Sequence, residues 1–166
     1  MSIYKNPYLD IEIDFPDDWG MRYWGNRTKE PPNIERFQTQ YDDYPVCEKQ
    51  EKELFFATKR IKGSPFVLSQ YIAVAAFYRP NGYQLEQEFE EREVETFREW
   101  GFEALGKRNV KFLISHEKGN EYIVRKKFVY WQVLPDIWVN CAVFGDTIEN
   151  YKSAIKVFLS GKFDQL

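Results

Sequence analysis

The residues that could carry nucleophilic or acid–base chemistry are few and widely separated in this sequence. His116 is the single histidine, and no nucleophile motif accompanies it or the adjacent Glu117, so we interpret it as a solvated residue beside a turn. Cys47 lies in a charged segment, where a nearby lysine would favour a reactive thiolate if the thiol is exposed. Cys141 falls within a predicted buried strand and is interpreted as a small core residue. We expect no catalytic site, although an acid–base pair could assemble from residues distant in sequence.

Metal and cofactor sites are not indicated by the residue spacing. One histidine and two separated cysteines are too few ligands for a zinc site. Asp14, Asp17 and Asp18 could gather around a hard cation at a strand end, but we prefer to interpret them as a solvated edge and turn. The glycines form neither a GxGxxG pattern nor a phosphate loop. We therefore expect no metal and no cofactor.

The charge pattern gives one candidate binding surface. Residues 83–100 are strongly acidic, whereas basic residues gather in the strands predicted after them. On one face of a predicted strand, Arg125, Lys127 and Trp131 combine cations with an aromatic ring, a composition typical of protein interfaces. The alternative is that these charges are ordinary solvated side chains. The net charge of −3 argues against a general nucleic-acid binder, which needs a dense cationic surface.

Length and composition predict one domain over residues 1–166. No apolar run approaches the roughly 20 residues that span a bilayer, so we expect no membrane span. No apolar leader follows Met1, and two cysteines do not make a disulfide framework, so we expect a bacterial, cytoplasmic protein in a reducing compartment. An exported protein whose leader has been removed is the alternative. The aromatic share of 18% favours an exposed aromatic patch in addition to the core.

A long strand, Phe66–Tyr78, is the predicted centre of the fold, because both of its alternating faces are apolar. A strand covered on both sides has this pattern, whereas a half-exposed strand alternates apolar and polar residues. Its alanines, Ala73, Ala75 and Ala76, would let a helix approach the sheet closely. The hydrophobic pattern predicts further strands at 8–15, 21–24, 37–41, 53–61, 110–115, 122–131 and 137–144.

Two helices are predicted to cover this sheet. Residues 83–100 contain good helix formers and repeat large apolar residues near helical spacing. A terminal helix is predicted to start at Asp146 as its N-cap and to end at Gly161. Its predicted buried stripe consists of Ile148, Tyr151, Ile155, Phe158 and Leu159. The order of elements predicts an α+β fold, a mostly antiparallel β-sheet flanked by helices.

The segment YLDIEIDFPDDWG resembles the opening of the Mog1/PsbP-like superfamily, in which a first strand runs into a Pro-x-x-Trp turn, here Pro16 and Trp19. The later order is also similar: a long strand, a helix such as Gln84–Trp100, a hairpin, then a strand and a terminal helix ending near Gly161-Lys162-Phe163. The proline-rich segment at 25–36 is longer than that pattern. The resemblance implies an α-β-α sandwich used mostly for binding. It supplies no catalytic motif, and the metal-binding of the photosystem branch has no matching ligands in this chain.

Two functional hypotheses follow. The first is a non-catalytic protein-binding module, such as an adaptor, chaperone or immunity-type protein, that holds another protein through its sheet or a sheet edge. The second is a small-molecule-binding protein or hydrolase with a pocket between the sheet and the 25–45 loop. The aromatic residues predicted to line that pocket are Tyr23, Trp24, Phe37, Tyr41 and Tyr44.

Overall fold

Antiparallel strands make up most of the part of the chain that the structure describes. The computed structural model describes residues 2–6, 11–23, 51–60, 68–79, 84–86, 96–117, 125–134 and 137–163. The elements in these ranges are β1 (Ser2–Asn6), β2 (Ile11–Phe15), β3 (Gly20–Tyr23), β4 (Glu51–Arg60), β5 (Leu68–Tyr78), β6 (Thr96–Leu105), β7 (Arg108–Glu117), β8 (Arg125–Leu134), β9 (Ile137–Gly145) and the helix α1 (Ile148–Leu159).

The strands form two antiparallel sheets. β1 pairs with β2 in a two-stranded sheet, and the other seven strands pair in the order β3-β4-β5-β9-β8-β7-β6. The predicted central strand is confirmed over the described residues 68–78, since β5 lies between β4 and β9 and buries side chains on both faces. β4 pairs with β5 and β7 pairs with β8, both in antiparallel register.

One face of the seven-stranded sheet, which we call the helix face, carries the main hydrophobic core. Ala154 and Phe158 of α1 pack in one cluster with Val74 of β5 and Cys141 of β9. The two-stranded sheet extends this layer, because the Tyr4 ring stacks on Phe55 of β4 with ring centroids 3.9 Å apart. Each large apolar side chain buried in this way stabilises the fold by about 1.5–3 kcal/mol. The helix and the two-stranded sheet therefore form a second layer on the large sheet.

Cys141 lies in the middle of this core and is completely buried. Burial raises the pKa of its thiol far above the ordinary value, because the thiolate would lose its hydration. The prediction that Cys141 is a small core residue is confirmed. Cys47 lies outside the described residues.

The terminal helix is confirmed, with its start shifted by one residue. Thr147 is the N-cap, and its hydroxyl accepts a hydrogen bond from the backbone N–H of Asn150. Asp146 instead accepts a hydrogen bond from the Asn150 side chain at 2.6 Å, just before the helix. The buried stripe consists of Tyr151, Ala154 and Phe158, whereas the predicted member Leu159 is 57% exposed.

The helix predicted for residues 83–100 is wrong over its last five residues. Residues 96–100 belong to β6, which pairs with β7 along ten residues. Gly106, with a positive φ of 60°, lies in the two-residue turn between these strands, a conformation that glycine adopts easily. The aromatic residues of this segment suit a strand, and the pairing with β7 outweighs the helix propensity of the glutamates. Residues 87–95 lie outside the described part.

The structure therefore supports one part of the predicted fold class, the mostly antiparallel β-sheet. The described chain is a mostly antiparallel β-sheet with one long helix on one face. On the opposite face, two helical residues are described, Leu85 and Glu86. Leu85 packs there against Phe77 and Trp138. Two helical layers around the sheet stay a prediction, as does the single-domain boundary. No helix within the described ranges has the length and apolarity to cross a membrane.

Candidate functional site

The face of the large sheet opposite α1, which we call the second face, has a block of small side chains at its centre. Ala73 and Ala75 of β5 lie directly opposite Ala142 and Asn140 of β9 in the antiparallel register. Because directly opposed residues and alternate residues point to the same side of a sheet, these four side chains form one patch, which we call the floor. The helix α1 packs on the other face, in one cluster with Ala76, so its approach to the sheet does not involve this patch.

Aromatic side chains border the floor at both ends and along parts of its two flanks, and we call them the rim. Along the strands, Tyr71 opposite Phe144 closes one end, and Phe77 opposite Trp138 closes the other. Across the strands, β4 and β8 contribute the flanking rings of Phe56, Phe128 and Tyr130. Neighbouring rings of the rim are in contact: their centroids lie 4.7 Å apart for Tyr71–Phe144, 5.2 Å for Phe56–Tyr71, 6.0 Å for Phe77–Tyr130 and 6.2 Å for Phe128–Tyr130.

The floor and part of the rim enclose a cavity of about 280 Å³. Its described lining residues are Phe56, Tyr71, Ala73, Ala75, Lys126, Phe128, Asn140 and Ala142. Phe56, Tyr71, Ala73 and Phe128 are half-buried, so solvent reaches the cavity from the side of the rim. The size of the cavity comes from the floor, because a larger side chain at any of these four positions would occupy it.

Lys126 places a positive charge at one end of this cavity. Its ammonium lies 4.9 Å from the centroid of the Phe128 ring and 5.3 Å from that of Tyr71. Phe128 is on β8 and Tyr71 on β5, with β9 between them, so the ammonium lies above β9 between two rim rings. Such cation–π contacts hold an ammonium against aromatic faces without neutralising it.

The described lining of the cavity can bind and orient a ligand through apolar surface and a few polar groups. These are the phenol of Tyr71, the amide of Asn140 and the ammonium of Lys126, and the described lining has no carboxylate, histidine or thiol. Elsewhere in the described ranges, no group of three or more His, Cys, Asp or Glu side chains could hold a metal ion.

No protein-family model matches this chain, and no curated protein matches its sequence. The fold is similar to that of LpqN, a protein involved in cell envelope biogenesis of Mycobacterium tuberculosis, with a TM-score of 0.52 and 11% identity over 92% of this chain and 82% of LpqN. It is also similar to a protein of Bacteroides thetaiotaomicron VPI-5482, with a TM-score of 0.51 and 12% identity over 98% of this chain. The chain spans about half of that protein, 48% of its length.

At these identities the similarity concerns the fold alone. It confirms that the arrangement of the sheet and the helix occurs in other proteins, and it assigns no activity or ligand. Neither structure is described as a member of the Mog1/PsbP-like superfamily, so that resemblance stays a prediction.

The structure separates the three residues predicted to bind a partner. Trp131 is only 3% exposed, because it packs on the helix face, where its ring meets Phe163 edge-on with centroids 6.2 Å apart. The ammonium of Lys127 lies 2.5 Å from a carboxylate oxygen of Glu103, and its side chain is 15% exposed. Arg125 begins β8, and its side chain lies outside the described part. Partner binding by these residues stays a prediction, but they do not form one exposed patch around Trp131.

The other predicted sites are only partly within the described residues. Tyr23 ends β3, but its side chain and the remaining aromatic residues of the predicted 25–45 pocket lie outside the described part. His116 is the next-to-last residue of β7, and its side chain and the turn predicted after it lie outside the described part. Asp14 and Asp17 are exposed, and Asp18 pairs with Lys59 at 3.1 Å, as expected for a solvated strand edge and turn.

A second cavity, of about 310 Å³, lies beside β6, β7 and β8, but its cations are already engaged. Arg108 donates a hydrogen bond from Nε to the carbonyl oxygen of Phe163 at 2.8 Å. Lys111 pairs with Glu86 at 2.5 Å. Desolvation raises the pKa of Glu86, but the hydrogen bond and charge of Lys111 outweigh it, so that this pKa lies below its ordinary value. This cavity is therefore a weaker candidate for a charged ligand.

Proposed function

We propose that this chain is a non-catalytic binding protein that holds a small, ring-containing molecule in the cavity of the second face. The observation that carries the proposal is the floor of Ala73, Ala75, Ala142 and Asn140 surrounded by aromatic side chains. A flat floor bordered by rings offers apolar contact to both the face and the edges of a planar ligand, and stacked or edge-on ring contacts each contribute about 0.5–1.5 kcal/mol.

The size and lining of the cavity support a small molecule in preference to a large apolar surface. A volume of about 280 Å³ is close to the lower end of the usual range for ligand pockets, roughly 300–1,000 Å³. Such pockets are mostly apolar with a few polar groups that fix orientation, which matches one amide and one ammonium among rings and methyl groups. A cytoplasmic location for this binding protein stays a prediction.

The test is a titration with the neutral probe 2-naphthamide, followed by saturation-transfer NMR of the probe and calorimetry. We expect binding by the wild-type protein and its loss in Ala142→Leu, because the larger side chain occupies the floor. Ala104→Leu is the matched control, since Ala104 is exposed on β6 and does not line the cavity. Unfolding midpoints of both variants show whether each is folded. Equal binding by the folded Ala142→Leu variant, or no binding of 2-naphthamide and 2-naphthoate by the wild type, would overturn the proposal.

A protein partner is the second candidate function, and β6 favours it. This ten-residue strand ends the described order of the large sheet, and it carries two exposed large side chains, Trp100 at 38% and Phe102 at 55%. An extended segment of another protein can add to such an edge through backbone hydrogen bonds, while the aromatic side chains give specificity. The chain would then act as an adaptor, chaperone or immunity-type protein.

A photo-crosslinking amino acid at position 102 tests this second candidate in cells. We expect one specific protein adduct there and none when the same amino acid replaces Lys152, an exposed residue of α1 on the opposite layer. The same set of adducts at both positions, or none at position 102, would count against a partner on β6.

A further inference from the structure

The position of Lys126 indicates the charge of the ligand. If the second face binds a ring-containing molecule, as proposed above, the ammonium of Lys126 lies at one end of the site, between the rings of Tyr71 and Phe128. We infer that the preferred ligands are aromatic carboxylates, small planar molecules with an anionic group at one end. The ring system would lie on the floor, and the carboxylate would meet Lys126.

The first argument is that Lys126 differs from the other lysines near it. On β7 and β8, Lys111 pairs with Glu86 and Lys127 with Glu103, whereas no ion pair between described residues engages Lys126. Its described neighbours are rings, which attract the ammonium through their electron-rich faces, and no described carboxylate compensates its charge. A ligand carboxylate would supply the missing opposite charge.

The second argument is that the positive charge lies at one end of an otherwise uncharged cavity. The remaining described lining residues are three alanines, three aromatic residues and Asn140. At the opposite end, Arg79 lies over the Phe77 ring and Lys111 over the Trp138 ring, with the cations 4.7 and 5.1 Å from the ring centroids. Lys111 is paired with Glu86, and neither cation lines the cavity, so Lys126 is the charged group among its described lining residues. The site therefore selects molecules with one charged end and one apolar end, and it orients them with the anion toward Tyr71 and Phe144.

The third argument is geometric. The ammonium lies above β9 with partners on β8 and β5, strands that are roughly 9–10 Å apart across β9. The lysine side chain thus extends along the end of the cavity and not away from the sheet. A carboxylate on a ring that rests on Ala73 and Ala142 can approach it without displacing the rim.

A matched pair of probes tests this inference separately from the proposed function. 2-Naphthoate and 2-naphthamide have the same ring system and nearly the same shape, but only the first is anionic at pH 7. We expect wild-type protein to bind 2-naphthoate about tenfold more tightly, the size of one charge-assisted hydrogen bond. The preference should decrease as salt is raised from low to physiological ionic strength.

Two variants assign the preference to Lys126. Lys126→Met keeps the length of the side chain and should bind both probes with equal affinity, whereas Lys152→Met on the opposite layer should keep the tenfold preference. Equal binding of both probes by the wild type would overturn the carboxylate inference and leave the binding site intact. A preference that persists in Lys126→Met would also overturn it. Binding of neither probe would instead contradict the proposed function itself.

Discussion

Replacement of Gly145 by alanine is expected to destabilise the protein by about 3 kcal/mol or more, toward the upper end of what overpacking costs. Gly145 ends β9, where the strand runs into the first turn of α1. A β-carbon at this position would lie 2.0 Å from the backbone nitrogen of Tyr151 and 2.4 Å from its Cα. These are backbone atoms, so no side chain can rotate away to make room.

Neither partner in this contact can move easily. Gly145 is held on both sides by the sheet, opposite Gln70 of β5 and Arg125 of β8. The helix is fixed by Tyr151 and Phe158, which are buried against the sheet. We therefore expect Gly145→Ala to shift α1 away from its position on the helix face, with loss of core contacts.

Urea unfolding followed by circular dichroism measures this effect, and Gly20→Ala provides the control. At Gly20 the nearest atom to an added β-carbon is the Thr58 hydroxyl oxygen at 3.9 Å, an ordinary contact. The control should change the free energy of unfolding by no more than about 0.5 kcal/mol. Similar unfolding midpoints for the two variants would show that α1 does not pack against Gly145 as described.

The sequence predicts those elements whose patterns are local. β5 and β9 are apolar on both alternating faces, and the turn and capping residues around 146–161 delimit α1. β1 was not predicted, because its five residues have no clear alternation and it pairs only with β2. The sequence places residues 96–100 of β6 in a helix because residues 83–100 contain good helix formers and repeat large apolar residues near helical spacing. Their actual structure depends on pairing with β7.

The candidate cavity could not be predicted because it depends on register between distant segments. Ala73 and Ala142 are 69 positions apart in the chain, yet they lie directly opposite each other in the sheet. Each strand alone shows alanines that suit any close packing, and the residue pattern of one strand does not reveal which strand lies beside it. The alanines in β5 and β9 were the sequence signal for this cavity. Only the pairing of β5 with β9 shows that these alanines lie side by side and form one floor.

Trp131→Ala is expected to cost about 3–5 kcal/mol of unfolding free energy, the usual range for removal of a buried tryptophan. The sequence pattern correctly places Lys127 and Trp131 on one face of β8, since both lie on the helix face. It cannot show that Phe163, which follows α1, covers Trp131 but not the Lys127 end of the strand. The indole therefore contributes to the core, and its removal leaves a cavity between β8 and the segment after α1.

The comparison with Phe102→Ala makes this expectation specific. Phe102 is also a large aromatic residue in the same sheet, but it is 55% exposed, so its loss should change stability by no more than about 0.5 kcal/mol. Urea unfolding of both variants measures the difference. If Trp131→Ala were as stable as the wild type, the indole would not lie in the core. The prediction that Trp131 forms an exposed partner-binding patch with Arg125 and Lys127 would then be restored. If Trp131→Ala loses much stability and Phe102→Ala does not, Trp131 is a core residue and Phe102 is an exposed one. Partner binding should then be sought at Phe102 and the β6 edge.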